Sequence, residues 1–227
     1  TLLLENISSP KDINNISSSE LRLLAKEIRD RILEVASKNG GHVASNLGVV
    51  ELTIALHKIF NDENDAIIFD VSHQSYAHKL LTGRNKDFDT LRQHGGISGF
   101  TKQKESPYDY FDAGHASTSI SSALGLLSGR KLLGKTGKVV AVIGDGALTG
   151  GMAFEALSHG GQLSKDLVII LNDNQMSISK NTGSLSRYLS RLTSSSHYQK
   201  IRNAIDKAVQ KIPFINKPLS RFIFRFK

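Results

Sequence analysis

The stretch that decides the fold is residues 138–174, KVVAVIGDGALTGGMAFEALSHGGQLSKDLVIILNDN. An apolar run (138–143) leads through a Gly-Asp-Gly turn (144–146) into a helical segment (151–163), and a second apolar run (166–171) follows. A strand, a helix and a strand of this length predict a right-handed crossover between parallel strands. Neither run alternates with polar residues, which is typical of strands covered on both faces. The sequence therefore predicts an α/β fold, a mostly parallel sheet with helices on both faces.

Polar residues follow both predicted strands. Asp145 lies in the Gly-Asp-Gly turn, and Asn174 closes the Asn-Asp-Asn cluster after the second strand. Either cluster alone would be an ordinary turn, but parallel strands bring their carboxyl ends to one edge, where such sheets bind ligands. A carboxylate and an amide oxygen suit Mg²⁺, which relies on substrate phosphates to complete its shell. A helix starting near Thr149 would add its positive end. We therefore predict a magnesium–diphosphate site.

The rest of the chain predicts further helices around this unit. Serine at 17–19 and Gly40 bound a helix over residues 20–39, since these residue types favour the two helix ends. Further helices are predicted at 49–60, 74–81 and 120–133, and a buried strand at 66–71. Residues 84–118 show little periodicity and are predicted to be mostly loop, and loops of this length are usually functional.

Composition excludes several classes of protein. None of the 227 residues is cysteine, which excludes disulfide frameworks and cysteine-based metal sites. No apolar run approaches the roughly 20 residues of a membrane span, and no secretory signal is recognisable, so a cytoplasmic location is expected. The net charge of +8 arises mainly from residues 187–227, with ten basic side chains and one acidic. A nucleic-acid-binding groove is therefore not expected, and neither a P-loop nor a GxGxxG motif is present.

Several motifs together resemble the 1-deoxy-D-xylulose-5-phosphate synthase family of transketolase-like enzymes. They are GGHVASNLG at 40–48, DVSHQ at 70–74, GGISGF at 95–100, GHASTS at 114–119, GDGALTGGMAFEAL at 144–157 and LNDNQMSIS at 171–179. The resemblance implies a thiamine diphosphate-binding fold. It also implies a diphosphate-binding domain over residues 1–196 and, over residues 197–227, a basic helical or linker segment leading to a pyrimidine-binding domain that this chain lacks.

The resemblance assigns roles to particular residues. It implies Mg²⁺ ligation by Asp145, Asn174 and the Met176 carbonyl, with Gly146 and Ala147 against the diphosphate. Cofactor contacts are implied for His73, Gly114, His115, Ala116 and Asn174, and a catalytic role in proton transfer or substrate binding for His42. Of the other histidines, His57, His159 and His197 are expected at the surface, while His78 and His94 are left open.

The implied reaction condenses pyruvate with D-glyceraldehyde 3-phosphate, giving 1-deoxy-D-xylulose 5-phosphate and CO₂ for isoprenoid, thiamine and pyridoxal synthesis. In the family, a Glu from the pyrimidine-binding domain activates the cofactor, and none of Glu51, Glu105 and Glu155 is expected to replace it. A full-length homodimer is expected, with the chain alone inactive. Departures at Ala44, Ser72 and Ala116 leave substrate handling open.

Two alternatives remain open. In one, the chain is the N-terminal subunit of a split transketolase-type enzyme, whose partner subunit supplies the pyrimidine-binding domain. In the other, it is a non-catalytic fragment whose basic, phenylalanine-containing tail at residues 211–227 docks on a membrane or a partner.

Overall fold

The computed structural model describes residues 2–163 and 166–173. The predictions for Asn174, Met176 and His197, the boundary between residues 196 and 197, and the tail at 211–227 lie outside the described residues.

The sheet has three parallel strands in the order in which they occur in the chain. They are β1 (Ala66–Phe69), β2 (Val139–Gly144) and β3 (Leu167–Asn172). Ala66 pairs with Val139 at one end of the β1–β2 ladder, and Gly144 pairs with Asn172 at the other end of the β2–β3 ladder. The predicted α/β class and parallel pairing are confirmed.

Seven α-helices surround the sheet within the described residues. They are α1 (Ser18–Asn39), α2 (Val43–Leu47), α3 (Val50–Ile59), α4 (Tyr76–Leu81), α5 (Ser119–Leu132), α6 (Asp145–Leu148) and α7 (Gly151–Leu163). Short 3-10 helices occur at Leu4–Asn6, Pro10–Asn15 and Phe88–Thr90. Every helix predicted within the described residues is present, and the segment between Thr90 and Ser119 is loop, as predicted. The sequence did not predict α2.

The ends of α1 show why the local sequence suffices for this helix. Ser17 accepts a hydrogen bond from the Glu20 main-chain N–H on its side chain (3.4 Å), and Ser17 N–H donates to the Glu20 carboxylate (2.9 Å). This reciprocal pair satisfies two main-chain donors that a helix start leaves unpaired. At the other end Gly40 takes a positive φ of 73°, which ends the helix at little steric cost.

Helices cover both faces of the sheet, as the continuous apolar strands predicted. On one face, Leu56 of α3 packs with β1 and β2 through Phe69 and Val140. On the other, Gly160 of α7 lies against Leu124 of α5 and Leu167 of β3. A second core joins α1, α3 and α4 and is fully buried at Ile28, Ile32, Leu80 and Leu81.

Two boundaries differ from the sequence prediction. Strand β1 ends at Phe69, two residues early, because Val71 (φ 57°) and Ser72 (φ 67°) adopt left-handed conformations that cannot continue a strand. The predicted turn at 144–146 is instead the end of β2 followed directly by the short helix α6. Helix α7 has the limits predicted for the helical segment, Gly151–Leu163, so the helix that begins at the Gly-Asp-Gly motif is α6 and not one starting near Thr149. Within the described ranges, no helix has the length and apolar character that crossing a bilayer requires.

A buried chain of polar side chains corrects the prediction for His57. This histidine is 3% exposed, because α3 packs against α4 and its ring nitrogen hydrogen-bonds His78 (2.9 Å) inside the protein. His78 in turn hydrogen-bonds Asp109 (2.9 Å), which also receives two hydrogen bonds from Arg84. His159 is exposed, as predicted. Of the two histidines left open, His78 is buried and His94 exposed.

Candidate cofactor site at the carboxyl edge of the sheet

Each of the three strands is followed by an aspartate at the same edge of the sheet. Asp70 follows β1 and donates its main-chain N–H to Val142 of β2 (2.8 Å), while Asp145 and Asp173 follow the paired residues Gly144 and Asn172. Asp145 is also the first residue of α6. Parallel topology therefore brings the Gly-Asp-Gly motif and the start of the Asn-Asp-Asn cluster together, as the sequence predicted.

The predicted metal ligands are only partly within the described residues. Asp145 is described, whereas Asn174 and the Met176 carbonyl are not. Among residues 2–163 and 166–173, no group of three or more histidine, aspartate or glutamate side chains is arranged to hold a metal. A site with one carboxylate, one amide and one carbonyl does not depend on such a group, so the ligand set stays a prediction.

A serine joins the loop at 114–118 to the helix start at Asp145. Ser117 Oγ donates a hydrogen bond to the Ala147 carbonyl (2.6 Å). Gly150 lies so close that an added Cβ would approach Ser117 Oγ to 2.1 Å, so this position requires glycine. The structure therefore brings the predicted residues Gly114, His115 and Ala116 to the same edge as Gly146 and Ala147.

Asp70 fixes this loop from the other side. Its carboxylate is 1% exposed and accepts the main-chain N–H groups of Ser117 (2.8 Å) and Ser119 (2.9 Å), one on each oxygen. Ser119 begins α5, and a negative charge at a helix start is favourable. Sequence reasoning gave neither Asp70 nor Ser117 a role, although both lie in the motifs DVSHQ and GHASTS.

His42 and His73 meet in a second part of the site. Their rings are 5.2 Å apart, edge to face, and Phe100 lies 6.2 Å from His42. Partial burial, and then the positive charge of Arg92, lower the pKa of His42. Burial lowers the pKa of His73, helped by His42 and opposed by Asp70. Both imidazoles are therefore neutral near pH 7, since the ordinary pKa is about 6.5.

Two glycines and one buried polar atom leave room for a ligand as far as the structure describes the chain. A Cβ built at Gly114 or at Gly146 would meet no described residue within 4 Å, so the described part of the chain lets a bound group approach the main chain at both positions. Among residues 2–163 and 166–173, the buried Nδ1 atom of His73 has no hydrogen-bond partner, and a buried polar atom of this kind calls for a specific explanation, of which a bound group is one. His115 lies exposed at the same edge, with Nδ1 3.1 Å from the Ala116 carbonyl. These features fit a ligand that contacts the main chain and a histidine.

The fold is shared with a solved transketolase structure. A transketolase variant from Pichia stipitis superposes with a TM-score of 0.65 at 20% sequence identity, over 77% of this chain and 30% of that one. The protein therefore has a transketolase-like α/β fold.

Sequence comparison narrows this class to one family. The family profile described as 1-deoxy-D-xylulose-5-phosphate synthase matches residues 4–227. The chain belongs to the 1-deoxy-D-xylulose-5-phosphate synthase family. Proteins of that name from Treponema pallidum (strain Nichols) and Carboxydothermus hydrogenoformans are each 56% identical over 225 residues, which is 99% of this chain. The chain spans only 36% of the length of these two relatives.

Proposed function

We propose that this chain is the diphosphate-binding part of an enzyme that condenses pyruvate with D-glyceraldehyde 3-phosphate. The products are 1-deoxy-D-xylulose 5-phosphate and CO₂, and the cofactors are thiamine diphosphate and Mg²⁺. Such a transferase serves isoprenoid precursor and thiamine synthesis and works as a cytoplasmic homodimer. Support comes from the family membership and from the relatives named for this activity.

The observation that carries the proposal is the meeting of three segments at the carboxyl edge. Asp145 starts a helix there, Ser117 joins the loop at 114–118 to Ala147, and no described residue crowds the main chain at Gly146. In the proposed site, Asp145, Asn174 and the Met176 carbonyl hold Mg²⁺. The diphosphate and the rest of the cofactor contact Gly146, Ala147, Asn174, His73, Gly114, His115 and Ala116.

The chain's own residues bind, orient and move protons in this proposal. Thiamine diphosphate, when bound, supplies the electron sink that decarboxylation and carbon–carbon bond formation need. His42 lies beside His73 at the open side of the site, and its lowered pKa leaves a neutral imidazole to accept a proton. The Phe100 ring lies 6.2 Å from the His42 ring, tilted against it, and so forms an apolar neighbour of this imidazole.

The activating glutamate is proposed to come from a pyrimidine-binding domain, in the same polypeptide or in a partner subunit. Two glutamates of this chain are already engaged, Glu51 in an ion pair with Arg29 and Glu105 in one with Lys79. The far greater length of the relatives agrees with a further domain. We propose domain limits of 1–196 for the diphosphate-binding part and 197–227 for the connecting segment, and no synthase activity for the chain alone.

Calorimetry of thiamine diphosphate binding, with and without Mg²⁺, tests the proposal in the intact protein. Asp145→Ala is expected to abolish the magnesium-dependent part of the affinity, because the diphosphate then faces no bridging cation. Asp166→Ala is the matched control, since it removes an exposed carboxylate paired with Lys138 beside the start of β3, at the opposite edge. Unchanged affinity in Asp145→Ala, or an equal loss in the control, contradicts the assignment.

A further inference from the structure

Asn46 is a buried amide between the two segments that carry His42 and His73. It lies in α2 and is fully buried. Its amide nitrogen donates one hydrogen bond to the His42 carbonyl (2.6 Å) and another to the His73 carbonyl (2.7 Å). Its Oδ1 accepts the main-chain N–H of Tyr76 (2.9 Å). Both donors and the acceptor are thus used, all on main-chain groups.

Tyr76 makes a further hydrogen bond to the main chain at His42. Its buried hydroxyl accepts the main-chain N–H of His42 (3.4 Å). Gly41 passes so near this ring that an added Cβ would lie 2.7 Å from the hydroxyl oxygen, at a φ of 146° that favours glycine. The main chain at His42 is therefore held against α4 at fixed distance, with no room for a larger residue before it.

The hydrogen bonds from Asn46 and Tyr76 hold the main chain that carries the histidine rings. An imidazole is attached to its main chain by only two rotatable bonds, so a shift of the main chain at a histidine carries the ring with it. The rings of His42 and His73 touch at 5.2 Å. Asn46 is the one side chain that hydrogen-bonds the main chain at both histidines, among the hydrogen bonds described for residues 2–163 and 166–173.

We propose that Asn46 is a positioning residue that holds His42 against His73 and so places both imidazoles for the reaction. The reaction part of this inference rests on the proposed function, whereas the holding of the two rings does not. Asn46 touches no substrate in this proposal and acts only through the two histidine segments.

The test variant is Asn46→Asp in the intact protein. Aspartate keeps the size of the side chain and an oxygen for the Tyr76 N–H, but it replaces the amide donor with an oxygen facing two carbonyls. The imidazole Cε1–H NMR signals of His42 and His73 are compared without cofactor, after assignment with H42Q and H73Q. We expect both signals to move together. In the loaded enzyme we expect kcat/KM to fall about a hundredfold, mainly in kcat, as for an ångström-scale misplacement.

Asn61→Asp is the matched control. Asn61 also donates twice, to the Lys58 carbonyl (2.9 Å) and to Asn14 Oδ1 (2.6 Å), but it lies between α3 and the start of β1 at the opposite edge of the sheet. We expect both histidine signals and kcat/KM to stay at wild-type values. If Asn46→Asp does not fold, Asn46→Ala takes its place, and failure of both to fold overturns the proposal in favour of a folding role.

The remaining outcomes separate the inference from the proposed function. Unmoved signals, movement of only one signal, or lower thermal stability with unchanged kcat/KM overturns the positioning role. Joint movement of the two signals in a protein that has no synthase activity supports the positioning role and counts against the proposed function alone.

Discussion

Acidification is expected to destabilise the protein through the buried pair His57 and His78. The Asp109 carboxylate receives two hydrogen bonds from Arg84 and is therefore ionised, so it accepts the Nε2–H of His78. His78 Nδ1 is then the acceptor for the Nε2–H of His57, and both rings are neutral in the folded protein. Burial lowers the pKa of His57, helped by His78 and Arg84. Burial also lowers the pKa of His78, against the opposing effect of Asp109.

The sign of this pH dependence follows from the linkage between proton binding and folding. Both histidines have a lower pKa in the folded state than in the unfolded state, so the unfolded chain binds more protons as the pH falls below about 6.5. Their stabilising contribution is complete above that pH and is lost below it. A histidine that stays neutral when folded costs about 1.4 kcal/mol at one pH unit below its unfolded pKa. Burial lowers the pKa of His57 well below its ordinary value, so His57 accounts for about this much near pH 5.5, and the lowered pKa of His78 adds to the loss in the same direction.

Urea unfolding of the chain, followed by far-ultraviolet circular dichroism at about pH 7.5 and about pH 5.5, measures this loss. His57→Gln removes one of the two buried imidazoles and is expected to reduce the pH-dependent loss by about 1.4 kcal/mol. His159→Gln is the control, because that side chain is exposed on α7. The reasoning is refuted if His57→Gln keeps the wild-type pH dependence or if His159→Gln reduces it equally.

Two substitutions at the candidate site have separable outcomes. Asp70→Asn leaves one oxygen for the N–H groups of Ser117 and Ser119. We therefore expect the free energy of unfolding in urea to fall by about 1–3 kcal/mol, and calorimetry to show weaker thiamine diphosphate binding. Wild-type values for both quantities would contradict this prediction. His42→Gln is expected to lower kcat about 10²–10⁴-fold in the intact enzyme while cofactor affinity stays near wild type, and a loss below about threefold argues against proton transfer by His42.

The sequence predicted those helices and strands that are marked by residues within the segment itself. Helix α7 has the predicted limits, and α1 begins and ends at the serine and glycine that its sequence marks. Helix α2 was missed because its five residues, Val43–Leu47, give too short a pattern for the helical period to be visible. The edge position of Asp145 and Asn172 was predictable because parallel pairing alone determines it.

Burial of polar residues was not predictable in the same way. His57 stands next to Lys58 near the end of α3, and its burial results from packing of α3 on α4, which brings it to His78. Asn46 and Asp70 act on main-chain groups that lie 27 and 47 residues away. Such contacts depend on how the elements pack, so composition and spacing carry no sign of them.

The loop between Thr90 and Ser119 explains why so many carboxylates of this domain are buried or partly buried. A segment without helix or strand forms few main-chain hydrogen bonds of its own, so its donors need side-chain acceptors. Asp109 accepts the Lys102 N–H (2.8 Å), Glu105 accepts the Ser98 N–H (2.7 Å), and Asp70 accepts the Ser117 N–H (2.8 Å). Cations compensate two of these charges, Arg84 at Asp109 and Lys79 at Glu105. The loop that carries Phe100 and His115 to the site is therefore held by carboxylates, two of them paired with buried cations, rather than by regular secondary structure.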